Sequence, residues 1–195
     1  LPYEMRAPDF EIDWDELEKM VTPKTRMLLI NTPHNPTGTI LREEDLKTVE
    51  RIAEKHDLLV LSDEVYEHLI FDEEAHQSVL RFPKLFQRSL AVYSFGKTFH
   101  STGWKMGYCV APEYLMKEFR KVHQFNVFSV NSFVQPALAE YLEDERTYLN
   151  LPRFYEKKRD FFLAEIEGSS FRPLKSSGTY FQLLDYSEIS DEPEL

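Results

Sequence analysis

Cysteine is almost absent from this 195-residue chain: Cys109 stands alone. That excludes an internal disulfide framework and fits a reducing compartment. Cys109 lies in an apolar run and reads as a buried structural thiol. No apolar run approaches the roughly 18–20 residues of a membrane span. Basic residues are in the minority, with 23 Lys and Arg against 34 Asp and Glu and a net charge of −11. Nucleic acid and anionic membrane surfaces both call for a basic face, so neither is an expected partner. A phosphate-cradling loop is missing as well. Gly96-Lys97-Thr98 has the ending of a nucleoside-triphosphate P-loop, but Ala91 occupies the position where its first glycine belongs.

What is present suffices for a sizeable core. Hydrophobic residues make up 42% of the chain, and 15 Phe and 10 Tyr supply bulk. The length lies between one average domain and two. The chain starts at Leu1 in mid-pattern and ends just after a strand-like run, so a piece of a longer protein is expected. The absence of a targeting segment therefore says little.

Pro2 and Pro8 keep residues 1–10 extended. Residues 13–20 read as a short helix capped by Asp13, with Trp14, Leu17 and Met20 on one face. Met27, Leu28, Leu29 and Ile30 form a continuous apolar run, the pattern of a strand buried on both faces. A dense turn signal follows. Residues 43–55 form an amphipathic helix with acids at its start and Lys55 and His56 at its end. Further strands are expected at residues 58–61, 90–93 and 108–111.

A helix to about residue 124 should turn Leu115, Phe119 and Val122 inward. Residues 125–131 read as an aromatic and polar loop, after which Ser132 caps a helix ending at Leu142. A long helix over 153–167 stops at Gly168. A strand pair, 171–174 and 179–184, surrounds a turn at Ser176-Ser177-Gly178. Alternating strands and helices predict an α/β fold with a mainly parallel sheet between helical layers. Ligands bind outside the carboxyl ends of such strands, which puts Asn35, Asp63, Ser94 and Lys97 on one rim.

With Tyr66 and Lys105 the rim offers an amide, a carboxylate, a phenol, a hydroxyl and two cations. A lysine just past a buried strand is desolvated and held in place, which suits a nucleophilic amine. A surface lysine in a strand-to-helix loop has the same local sequence. The motifs are Asn31-Thr32-Pro33-His34-Asn35-Pro36-Thr37-Gly38, Ser62-Asp63-Glu64-Val65-Tyr66-Glu67-His68, Ser94-Phe95-Gly96-Lys97-Thr98-Phe99, Thr102-Gly103-Trp104-Lys105-Met106-Gly107-Tyr108 and Gly178-Thr179-Tyr180-Phe181. In this order they resemble the class I/II, fold type I aminotransferases that use pyridoxal 5'-phosphate (PLP), the methionine and kynurenine aminotransferases in particular.

The resemblance implies a role for each rim residue. Lys97 resembles the Schiff-base lysine that also moves the substrate proton. Asp63 resembles the carboxylate that keeps the cofactor's pyridine nitrogen protonated. Tyr66 and Asn35 resemble the groups bonded to its 3' oxygen, and Asn35 also a substrate-carboxylate contact. Ser94 and Lys105 resemble phosphate ligands. Many relatives carry arginine at the place of Lys105, and lysine lacks the bidentate fork. His34, His68, His76, His100 and His123 are read as structural or solvated, Trp104 and Phe125 as packing or dimer-interface residues.

The resemblance further implies a three-layer α/β/α large domain, incomplete here, over residues 1–150. Residues 151–195 would be an interdomain helix and the start of a small α+β domain. The implied reaction is PLP-dependent transamination between an amino acid and a 2-oxo acid, in a cytoplasmic enzyme that is a homodimer at full length. Methionine or aromatic amino acids are plausible donors. A C–S β-lyase on the same scaffold is an alternative, as is a fragment without activity of its own. Family members are longer. Their glycine-rich phosphate loop, the aromatic ring stacked on the cofactor and the arginine that clamps the substrate carboxylate have no counterpart in this chain.

Overall fold

The computed structural model describes residues 1–192. Asp13 accepts the amides of Asp15 and Glu16 and so caps helix α1 (Trp14–Lys19), satisfying donors that the first turn leaves free. Strand β1 (Met27–Asn31) leads through the proline-rich loop to α2 (Glu43–Lys55). Leu46, Val49, Ile52 and Ala53 make one fully buried stripe on α2. Next come β2 (Leu59–Asp63), a short α3 (Pro83–Phe86) and β3 (Ser89–Ser94). The four-residue α4 (Phe95–Thr98) leads to β4 (Gly107–Val110). Helices α5 (Glu113–Asn126), α6 (Val134–Leu142), α7 (Arg146–Leu149) and α8 (Leu151–Glu165) precede a small strand pair, β5 (Arg172–Pro173) and β6 (Leu184–Asp185).

The main sheet has the order β1-β2-β3-β4. The first three strands are parallel and β4 runs antiparallel against β3. This is the α/β fold with a mainly parallel sheet expected from the sequence. Its register sets Asn31 beside Asp63, and Asp63 beside Val92, at one end of the sheet. One sheet face, carrying Ile30, Val60, Ala91 and Tyr93, packs with the α2 stripe into the main core. Side chains alternate along a strand, so residues one step along face the other way. That second face is more open, and Leu29 on it is 63% exposed.

Several local expectations are corrected. β1 is an edge strand with one buried face, because no described element packs on its other side. On α5 the expected inward face is covered only at its start: Leu115 is half-buried, whereas Phe119 and Val122 further along are exposed. Cys109 is only half-buried, since β4 is the sheet's other edge. Ser132 does not cap α6: the residue at its N-terminal boundary is Phe133, which is already helical and gives no side-chain cap, and Asn131 Oδ1 instead accepts the Phe133 and Val134 amides in the preceding turn at 3.0 and 3.4 Å. The long helix starts at Leu151, with Pro152 in its first turn. Gly168 lies just beyond its end with φ +79°.

Residues 176–179 do more than turn a hairpin. The Ser177 amide donates to the Gly38 carbonyl at 2.9 Å, the Phe71 amide to the Ser177 carbonyl at 2.9 Å, and the Thr179 amide to the Leu69 carbonyl at 2.8 Å. The segment is thus a backbone seam between the loop after β1 and the loop after β2. Arg159 of α8 fastens it, reaching both Asp72 oxygens at 2.7 and 2.8 Å while lying 4.9 Å over the Phe71 ring. Gly38 has φ +71°, and a Cβ there would strike the Ser176 side chain and the Gly178 carbonyl. Gly38→Ala should therefore cost about 2 kcal/mol or more in urea unfolding, from left-handed strain plus the clash. Wild-type stability in that variant would mean that the seam is not tightly held.

Candidate active site

Parallel strands β1, β2 and β3 end on one rim, and five of the six expected residues sit at those ends or in the loops just beyond them. Ser94, the last residue of β3, caps α4: its Oγ accepts the Lys97 amide at 3.3 Å. This fixes the turn that carries Lys97, whose Nζ stands 5.5 Å from the centre of the Tyr66 ring. Tyr66 is 2% exposed. Tyr180 and Phe181, delivered by the seam, meet its ring edge-on with centroids 5.3 and 6.0 Å away. Its hydroxyl has no hydrogen-bond partner of good geometry among the described residues, with the Tyr180 phenol its nearest polar influence. Burial, then the neighbouring Tyr180 and the Asp63 charge, push that phenol's pKa upward.

Asp63 ends β2 half-buried. Burial raises its carboxyl pKa, while the Val65 amide, 3.4 Å from Oδ1, and the charge of Lys97 draw it back down. Asn31, which the motif reading left without a role, links two parts of the rim. Its Nδ2 donates to the Asp63 carbonyl and its Oδ1 accepts the Asn35 amide, each at 2.9 Å. Asn35 itself is exposed at the tip of the loop. Lys105 stands apart: it is exposed, has φ +55°, and its ammonium makes no hydrogen bond or ion pair among the described residues. A cleft of about 780 Å³ along β1 contains none of these six residues.

The five histidines of the motif reading stand outside the rim set, in packing or polar contacts of their own. His34 Nδ1 meets the Thr37 hydroxyl at 2.8 Å, and burial lowers the pKa of its ring. His68 is also lowered by burial and lies with its ring centre 4.9 Å from that of Tyr148. His100 and His123 lie beside Tyr155 and Phe119. His76 Nε2 meets Glu64 at 2.9 Å. Trp104 and Phe125 are exposed, at 56% and 89%, and cover nothing in the described chain. Tyr180 and Glu64 are further residues that the motif reading did not single out. For Glu64 a signal existed: an acid directly after an apolar strand, one step from Asp63 and so bound for the opposite face.

Comparison with known proteins places this geometry. The aminotransferase class I and II family matches residues 1–193, and the chain belongs to that family. It is 46% identical over 187 residues to a methionine aminotransferase of Escherichia coli, covering 95% of this chain and 48% of the relative. To kynurenine–oxoglutarate transaminase 1 of Mus musculus it is 35% identical, covering 96% and 46%. A crystal structure from Escherichia coli, described as identifying a methionine aminotransferase function, superposes with a TM-score of 0.93 at 46% identity. That match covers 96% of this chain and 50% of the other. N-succinyldiaminopimelate aminotransferase from Mycobacterium tuberculosis superposes at 0.84 and 36%, covering 90% and 46%. The fold is that of the fold type I aminotransferases. The chain spans about half the length of these relatives.

PLP is the cofactor of this family, and the residues present fit it. An amine stands over a buried phenol whose oxygen lacks a well-formed hydrogen bond among the described residues, and its charge reaches the Asp63 carboxyl. An unpaired buried hydroxyl costs about 1–3 kcal/mol, so Tyr66→Phe should raise the unfolding free energy by about 1 kcal/mol. A loss of stability in that variant would show that the hydroxyl is already satisfied.

Glu67 gives a second test. Burial, with the Glu64 charge adding, pushes its carboxyl up to about 7, although the Tyr108 hydroxyl lies 3.4 Å away. Its native pKa is above the ordinary 4.5, so its favourable contribution is complete below that value and is lost as pH rises through about 7. Glu67→Gln cannot ionise. It should match wild type near pH 4 and exceed it by about 2 kcal/mol at pH 8. Parallel stability curves for the two proteins would contradict this.

Proposed function

We propose that the whole protein is a PLP-dependent aminotransferase. It would exchange the amino group of an amino acid, methionine or an aromatic one, with a 2-oxo acid. The observation that carries this is the Lys97 amine 5.5 Å from the centre of the buried Tyr66 ring, close enough to Asp63 for its charge to be felt there, on a turn capped by Ser94. The names of the relatives support methionine and aromatic donors.

The cofactor supplies an aldehyde that captures amines and a ring that draws electrons from the amine-bearing carbon. Lys97 would hold the cofactor by its amine, and the same amine would serve as the proton carrier at the substrate's Cα. Asp63, on the same rim, supplies the negative charge that keeps the ring nitrogen protonated. The Tyr66 hydroxyl, without a well-formed hydrogen bond among the described residues, would donate to the ring oxygen, and Asn35 would assist there and touch the substrate carboxylate. Ser94 and Lys105 would hold the phosphate, Ser94 as a hydroxyl donor and Lys105 as a point charge.

We read residues 1–150 as the cofactor-holding part and residues 151–195 as an interdomain helix and the beginning of a small domain. We read the whole protein as a homodimer acting in the cytoplasm. The exposed aromatic residues Phe125, Phe128 and Phe133, between 79% and 89% exposed, favour burial against further chain or a second copy.

Borohydride reduction after incubation with pyridoxal phosphate tests the reading by intact mass. One adduct is expected, mapped to Lys97 and lost in Lys97→Ala. Equal labelling of both proteins, or none, would remove the chain's claim to the cofactor.

A further inference from the structure

Glu64 is the most deeply buried acid in the described chain, at 0% exposure, and nothing in the proposed chemistry uses it. Four donors surround its carboxylate. Ser62 Oγ and the Val79 amide reach Oε1 at 2.9 and 3.1 Å, while His76 Nε2 and Tyr93 Oη reach Oε2 at 2.9 and 2.8 Å. They come from β2, the turn at 79–81, the loop before it and β3. Burial opposes the charge, yet His76 and the Val79 amide hold the carboxyl below its ordinary range, so it is ionised at neutral pH. The other titratable groups near it are Glu67, Asp63 and, through Glu67, the Tyr108 hydroxyl.

Packing alone does not account for an ion here. It sits at the end of a sheet face whose apolar residues Val60 and Ala91 are fully buried, and its partner Val79 is fully buried too. Exchanging a buried ion for apolar side chains of similar volume is often neutral or stabilising. Position accounts for it better. Residues 63 and 64 follow one another at the end of an extended strand, so their side chains leave on opposite faces. The Glu64 amide continues the ladder to the Val92 carbonyl at 3.0 Å, and the Glu64 carbonyl accepts the Glu67 amide at 3.0 Å. Tying the Glu64 side chain into the closed face therefore turns Asp63 to the open face and starts the turn that brings Tyr66 over Lys97.

We infer that Glu64 is a positioning residue for the cofactor site, its four-donor anchorage fixing the 63–66 turn that sets Asp63 and Tyr66 against Lys97. The inference rests on the reading of that trio as the site. Its test does not need the cofactor. The rate of Lys97 acylation by acetic anhydride, read by peptide mass mapping across pH, reports on the groups facing the amine.

In Glu64→Gln, Lys97 should react faster than in wild type by at least about twofold, the scale of coupling between residues that share a network. Lys47 and Lys117 in the same protein should be unchanged. A folded Glu64→Gln with wild-type Lys97 reactivity overturns the inference. If Glu64→Gln does not fold, His76→Gln is read in the same way: faster labelling confined to Lys97 supports it, and unchanged labelling overturns it. A missing borohydride adduct in wild type sinks the cofactor reading alone, because the acylation comparison still decides the part played by Glu64.

Discussion

Parallel pairing of β1, β2 and β3 is the constraint on which the rest depends. Three strands pointing the same way must release their chain ends at one edge, and each end here releases polar residues. Hydrogen-bonded register then sets spacing that no flexible loop could hold: Asn31 beside Asp63, Asp63 beside Val92. Crossovers through α2 and α3 keep the strands parallel by carrying the chain back each time. The core against α2 makes the arrangement stiff on one side, while the open side keeps room for a ligand.

The sequence was most legible where local chemistry and global fold agree. Asp13 as a cap, the α2 stripe and the rim positions of Asp63, Ser94 and Lys97 could all be read from residue type and spacing. Legibility failed where the outcome depends on what lies across from an element. Nothing in Met27, Leu28, Leu29 and Ile30 says that only one face is covered. Nothing in Phe119 or Val122 says that their end of the stripe is left exposed. Ser132, a good cap by residue type, does not cap α6 because the helical turn already begins at Phe133, with Asn131 bonding the amides of that turn.

The candidate site shows the same division. Its members were visible as motifs, but the ties between them were not. Asn31 reaches Asp63 and Asn35 only because β1 and β2 are in register. Tyr180 meets Tyr66 because the seam just before it is tied to the loops after β1 and β2, far away in sequence, with Arg159 and Asp72 fastening it. The Glu64 anchorage joins four places along the chain, and such convergence leaves no periodic trace.

The seam at 176–179 has a consequence for biosynthesis. Lys97, Asp63 and Asn35 leave the ribosome well before Tyr180 and Phe181, with roughly 80 residues still to come after Lys97. At about 5–20 residues per second that is a delay of seconds, long compared with the formation of a helix or a hairpin. The nascent protein thus passes through a period in which the strands and the amine exist but the aromatic wall over Tyr66 does not. During that interval the rim is a shallow, wet edge, and it becomes an enclosed one only when the late segment threads between the two loops.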